Sequence, residues 1–119
     1  MDYLSLFFLL LIGHAVADYP LQSDHMAKYK SWRTPSNPPS GQKPNVIWPY
    51  VLSAHAFTHA GAVVIITGSV FLGFLEFVCH WLIDLAKCSN ITNIHVDQWL
   101  HIGCKALWVF IIWQQGVSL

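Results

Sequence analysis

Residues 48–87 read WPYVLSAHAFTHAGAVVIITGSVFLGFLEFVCHWLIDLAK, and they stay apolar far beyond the roughly 20 residues that one α-helical crossing of a hydrocarbon layer uses. A run of this length must fold back on itself. Thr67-Gly68-Ser69 is the best break, which predicts a helix over 48–66, with Pro49 suited to its first turn, and another over 70–87. Two more apolar stretches flank this hairpin, one over about 3–19 and one over about 96–115, after the polar run Ser89-Asn90-Ile91-Thr92-Asn93. The expected fold is all-α: a single integral-membrane domain over 1–119, a four-helix bundle of short transmembrane helices.

Composition leads to the same class. With 55% hydrophobic and only 10% charged residues, a soluble domain of 119 residues would lack polar surface to cover its core. Six Lys+Arg balance six Asp+Glu with no basic cluster, so the chain has no electrostatic footprint for nucleic acid and no acidic disordered character. Cys79, Cys88 and Cys104 are odd in number, widely spaced and set in or beside apolar runs. They suit core packing better than a disulfide framework or a zinc ribbon. The first stretch has a second reading as a signal peptide, because Ala15-Val16-Ala17 resembles a cleavage site. The uncharged-to-acidic start Met1-Asp2 and the polar His14 argue against it.

The connection over 20–47 holds most of the polar residues and the closely placed Pro35, Pro38, Pro39 and Pro44, which make its second half a loop. Its first half, 23–32, is either an ordinary surface loop or a short interfacial helix capped by Ser23 or Asp24, with Met26, Tyr29 and Trp32 at near-helical spacing. Asn90-Ile91-Thr92 matches a glycosylation sequon, a pattern common by chance. Lys28, Lys30, Arg33, Lys43 and Lys87 fall on the side of the two polar connections, and the opposite side has no Lys or Arg. The positive-inside rule then makes the connection side cytoplasmic in a bacterial inner membrane, with both termini outward and Trp48, Trp81 and Trp99 near the cytoplasmic interface. Trp108 and Trp113 serve equally well as packing residues.

Every helix carries a pair of potential metal ligands spaced by four, which places both members on one face: His14 and Asp18, His55 and His59, His80 and Asp84, Asp97 and His101. Scatter alone would give roughly one or two such pairs in a chain of this size. The alternation of helix direction puts all four pairs at the cytoplasmic ends, where a rise of about 1.5 Å per residue makes the His55/His59 and His80/Asp84 pairs level. Ionisable groups inside transmembrane helices are costly, face the bundle interior and mark function. Five imidazoles and three carboxylates exceed the needs of one tetrahedral zinc and suit two divalent ions, zinc or manganese foremost. Three negative charges against four positive ones leave room for a hydroxide or an anionic substrate. The plainer alternative is that these groups only hydrogen-bond one another and so hold the helices together. Glu76, one turn before His80, and Lys105, one turn after His101, reach the same depth in antiparallel neighbours; an ion pair between them is the first expectation, and an anionic head group on Lys105 the alternative. Gln98 stands ready to orient a ligand or to cap its helix, and His25 and His95 fall outside the matched spacing as surface residues.

Four separated motifs occur in order: Gly13-His14-Ala15-Val16-Ala17-Asp18-Tyr19-Pro20-Leu21-Gln22 with Lys28 beyond it, Ala54-His55 with His59, His80-Trp81-Leu82-Ile83-Asp84 with Lys87, and Asp97-Gln98 with His101. On these the chain resembles a family of small phage and bacterial integral membrane proteins catalogued as a domain of unknown function, and is similar in layout to inner-membrane metal-dependent hydrolases. The resemblance covers most of the chain, apart from the Pro-rich connection over 32–43. It implies a helical integral membrane protein with a metal site built from the same eight residues, with Gln22, Lys28, Lys87 and Gln98 as outer or substrate contacts. It names no substrate.

The expected function is a membrane-embedded metal-dependent hydrolase at the cytoplasmic interface, acting on a phosphoester or lipid-like, amphiphilic substrate. His14, His55, His59, His80 and His101 are the expected ligands, Asp84 or Asp97 bridges the ions, and Asp18 is a ligand or general base, so Asp18, Asp84 and Asp97 are the catalytic candidates. The alternatives are a metal or haem carrier and a metal-free phage membrane protein with a structural or interaction role. The lipid bilayer is the expected partner, and four short helices bury little surface, which favours self-association.

Overall fold

The computed structural model describes residues 1–36, 38 and 40–116, and among these it is all-α, with five helices and no strand. The helices are α1 (Tyr3–Asp18), α2 (Asp24–Tyr29), α3 (Trp48–Thr67), α4 (Val70–Cys88) and α5 (Ile94–Gln114). Pro39, one of the four loop prolines, lies outside the described residues, as does the tail after Gly116.

Local chemistry sets most helix ends. Asp2 caps α1 by accepting from the Ser5 amide at 2.8 Å, and that bond, with one from the Ser5 hydroxyl, holds the Asp2 carboxyl below its ordinary value. Ser23, Ser69 and Asn93 cap α2, α4 and α5 by accepting from the amides of Met26, Leu72 and Val96. The Asn93 cap explains why α5 starts at Ile94, two residues before the apolar pattern suggests. Pro49 sits in the first turn of α3, where its missing N–H costs nothing. The α3–α4 hairpin turns at Gly68, whose φ of 71° is left-handed backbone that a side chain would strain. The connection over 20–47 is not loop throughout, because Ser23 starts the six-residue α2.

The four long helices pack in a ring, α1 against α3 and α5, and α4 against α3 and α5, while α2 lies on α3. At the Gly68 end the interior is apolar: Leu6, Leu10, Val63, Leu72, Trp108 and Ile112 form one buried cluster. Toward the other end it becomes polar, with His14, Lys30, His55, His59, Glu76, His80, Asp84, Asp97, His101 and Lys105 all buried. The outer surface is the inverse, since Phe8, Phe57, Ile65, Phe71, Phe74, Leu100 and Phe110 are exposed. Among the described residues one helix, Trp48–Thr67, and not the expected four, is long and apolar enough by composition to cross a membrane, and Tyr3–Asp18 is a shorter apolar helix. The three cysteines are free and half-buried, with Cys79 and Cys104 packed against the apolar cluster.

Gly73 lets α3 and α4 approach closely. A Cβ there would strike the Val64 side chain and lie 3.2 Å from the Ala60 carbonyl oxygen. Gly73→Leu is therefore expected to lower stability by about 1–3 kcal/mol through overpacking. Thermal unfolding of the purified protein checks this, and an unchanged midpoint would contradict the close crossing.

Candidate metal centre

The i,i+4 spacing in each long helix brings two polar side chains to the inner face at the end of the ring remote from Gly68, and the eight meet in one cluster. The imidazoles are close-packed: ring centroids are 3.7 Å apart for His59 and His80, 4.2 Å for His80 and His101, 4.7 Å for His55 and His59 and 4.9 Å for His14 and His59.

Two carboxylates organise the cluster. Around Asp18, Oδ1 lies 2.9 Å from His59 Nε2 and 3.3 Å from His55 Nε2, and Oδ2 lies 3.2 Å from His14 Nε2. Around Asp84, Oδ1 lies 3.1 Å from His101 Nε2 and 3.7 Å from His80 Nε2, and Oδ2 lies 3.5 Å from His55 Nε2. His55 thus stands between the two carboxylates. Asp97 joins the second group, its Oδ1 3.5 Å from His101 Nε2. Three sets bring one potential donor atom per residue within 4.8 Å of one another: Asp18, His55, His59 and His80; His14, His80 and His101; and Asp84, Asp97 and His101.

Hydrogen bonding within the cluster leaves several of these atoms unsatisfied. Both ring nitrogens of His55 and of His80, and Asp97 Oδ1, are buried without a hydrogen-bond partner. Buried polar atoms without partners are expensive, and one such nitrogen from each ring, close to the neighbouring donors, suits a shared cation. Imidazole nitrogen and carboxylate oxygen together form a donor set for zinc, manganese or a similar divalent ion.

The surrounding residues divide into those that reach the cluster and those that do not. Gln98 reaches it, donating to Asp18 Oδ2 at 3.3 Å and Asp97 Oδ2 at 3.1 Å, with its Oε1 3.4 Å from His14 Nε2. It links α1 to α5, and the cap of α5 is Asn93 instead. Lys87 pairs with Asp97 at 3.5 Å. Gln22 donates to the Asp18 backbone carbonyl at 3.0 Å and so steadies the end of α1. Lys28 is not at the site; it is exposed, with its ammonium 5.2 Å from the centre of the Tyr29 ring. Lys30, two residues on and rotated to the other side of α2, takes the place expected for it: buried, and 2.7 Å from Asp84 Oδ2. Nothing in helical spacing signals Lys30, because it belongs to the connection and not to a paired face. The Trp32 indole, donating to Ser89 Oγ at 2.8 Å, ties this segment to the end of α4. His25 and His95 are exposed.

One turn deeper, Glu76 accepts from Lys105 Nζ at 2.6 Å and from Trp108 Nε1 at 2.7 Å, and its Oε1 lies 3.5 Å from His80 Nδ1. The expected ion pair is present, and the Trp108 donor completes it. The signal for Trp108 was its position on the face of His101 and Lys105.

The family model described as "Protein of unknown function (DUF3307)" matches residues 6–119. The chain belongs to this family. Comparison with curated proteins gave no match, nor did comparison with solved structures. Membership of DUF3307 spans α1 to α5, so all the clustered side chains fall inside the family's domain.

Proposed function

We propose that this DUF3307 chain is a membrane-embedded metal-binding protein that hydrolyses a phosphoester or lipid-like bond at the cytoplasmic face of an inner membrane. The observation that carries the metal reading is the convergence of buried imidazole and carboxylate groups from four helices, with ring nitrogens of His55 and His80 and Oδ1 of Asp97 left without hydrogen-bond partners. Membrane embedding is supported by the inverted bundle, charged inside and aromatic outside, because lipid solvates exposed Phe and Leu and penalises exposed charge. The 20 residues of α3 reach about 30 Å, the thickness of a hydrocarbon core. Lys30 and Lys87 are engaged by carboxylates, so the exposed Lys28, Arg33 and Lys43 carry the positive-inside argument for orientation.

Asp18, His55 and His59 would hold one ion and Asp84, Asp97 and His101 a second, with His14 and His80 beside both. A divalent ion bound there supplies Lewis acidity and lowers the pKa of water. The chain's own groups do the rest. Lys30 and Lys87 each hold an Oδ2, leaving Oδ1 of Asp84 and Asp97 turned toward His101. Asp18, whose side chain is 12% exposed, is the most open of the three carboxylates and suits the exchange of a proton with water or substrate. A haem carrier is disfavoured by imidazoles stacked at 3.7 and 4.2 Å, which leave no slot for a porphyrin.

Metal analysis of detergent-purified protein tests the reading. The wild type is expected to retain zinc or manganese and His55→Ala/His59→Ala to lose most of it. Equal and negligible metal in both would leave a metal-free bundle tied by the same His–Asp contacts. Metal-dependent release of phosphate from a phosphomonoester lipid, lost in Asp18→Asn, tests the reaction.

A further inference from the structure

The two ammonium groups at the site occupy matching positions. Lys30, from the C-cap of α2, lies 2.7 Å from Asp84 Oδ2, and Lys87, in the last turn of α4, lies 3.5 Å from Asp97 Oδ2. The other oxygen of each carboxylate faces the same imidazole, His101, at 3.1 and 3.5 Å. Both cations therefore stand on the outer side of one donor group.

Their charge alters the balance of the centre. Asp18, Asp84 and Asp97 carry three negative charges, Lys30 and Lys87 return two positive ones, and Glu76 is matched by Lys105. With neutral imidazoles the cluster is one charge negative. A single divalent ion makes it positive and two make it strongly so, and positive charge in a buried site is costly without a counter-anion. Each ammonium has three N–H donors; Lys30 spends one on Asp84 and Lys87 stands in an ion pair with Asp97 at 3.5 Å, so donors remain for a further acceptor. The site is not sealed on this side, because the Lys87 side chain is 25% exposed.

We propose that Lys30 and Lys87 form the oxyanion-binding side of the centre, and that its ligand bears a phosphate group. A phosphate offers several acceptor oxygens and up to two negative charges, which matches two ammoniums beside a metal-loaded cluster. The inference rests on the metal reading above and goes further by assigning the ligand's anionic part to two named residues.

Calorimetric titration of detergent-purified protein, metal-loaded or metal-stripped, with inorganic phosphate and separately with a short-chain phosphatidic acid tests it. Metal-loaded wild type is expected to bind phosphate at least about tenfold more tightly than stripped protein. Lys30→Gln and Lys87→Gln, each titrated with metal in saturating excess, are expected to weaken phosphate binding by about tenfold or more, the loss expected of a charge-assisted hydrogen bond. Because Lys30 is buried, Lys87→Gln serves as the variant least exposed to a folding defect. Tighter binding of the phosphatidic acid than of phosphate assigns a lipid head group, and the reverse assigns a soluble phosphate compound; both support the proposal. Metal-loaded protein that ignores both probes, or lysine variants that bind like wild type, overturn it and leave the metal reading standing. Wild type that holds no metal overturns both.

Discussion

Glu76→Leu is expected to destabilise the bundle by about 3–5 kcal/mol, because it leaves a buried ammonium uncompensated. Lys105 is 1% exposed and has its carboxylate partner 2.6 Å away, deep between α4 and α5. The Trp108 indole N–H would lose its acceptor as well. Glu76→Leu/Lys105→Met is expected to recover most of the loss, since exchanging a whole buried pair for apolar groups is often neutral or stabilising. Denaturant titration, followed by helix content, measures both proteins. A single variant as stable as wild type would mean that this pair contributes nothing to the fold.

Asp84→Asn should behave in the opposite way, with a large effect on metal and a small one on folding. Asp84 faces His55, His80 and His101 and is held by Lys30, so it stands at the crossing of α2, α3, α4 and α5. Altering groups that merely orient metal ligands costs 10–100-fold in affinity, so loss of this carboxylate is expected to exceed about 100-fold. Asparagine keeps the shape and one carbonyl oxygen that the buried Lys30 ammonium still has as an acceptor. The cost to stability is accordingly expected at only about 1–3 kcal/mol. Competition against a graded chelator series, alongside unfolding, separates the two effects. Unchanged metal affinity in the Asp84→Asn protein would remove Asp84 from the ligand set.

Glu76 and Asp84 lie on one face of one helix, two turns apart, and the contrast between them reflects depth. Glu76 borders the apolar cluster of Leu72 and Trp108, where a stranded partner has no water to reach. Asp84 lies toward the connection, among polar groups from every long helix.

The sequence by itself determined the four long helices and the faces they turn inward. A break at Gly68, Pro49 near the start of α3 and ligands spaced by four are local properties, and 3.6 residues per turn converts that spacing into a shared side. The depth of each pair followed from helix direction and rise. Only the tertiary structure decided what surrounds the cluster. Lys30 rather than Lys28 enters the site because α2 docks on α3 and turns one side of itself inward, an angle that no periodicity across a Pro-rich connection fixes. Gln98 bridges Asp18 and Asp97, and Trp108 donates to Glu76, because these groups meet across helix interfaces from residues far apart in the chain. Spacing along one helix is set by backbone geometry, whereas a partner on another helix is set by packing.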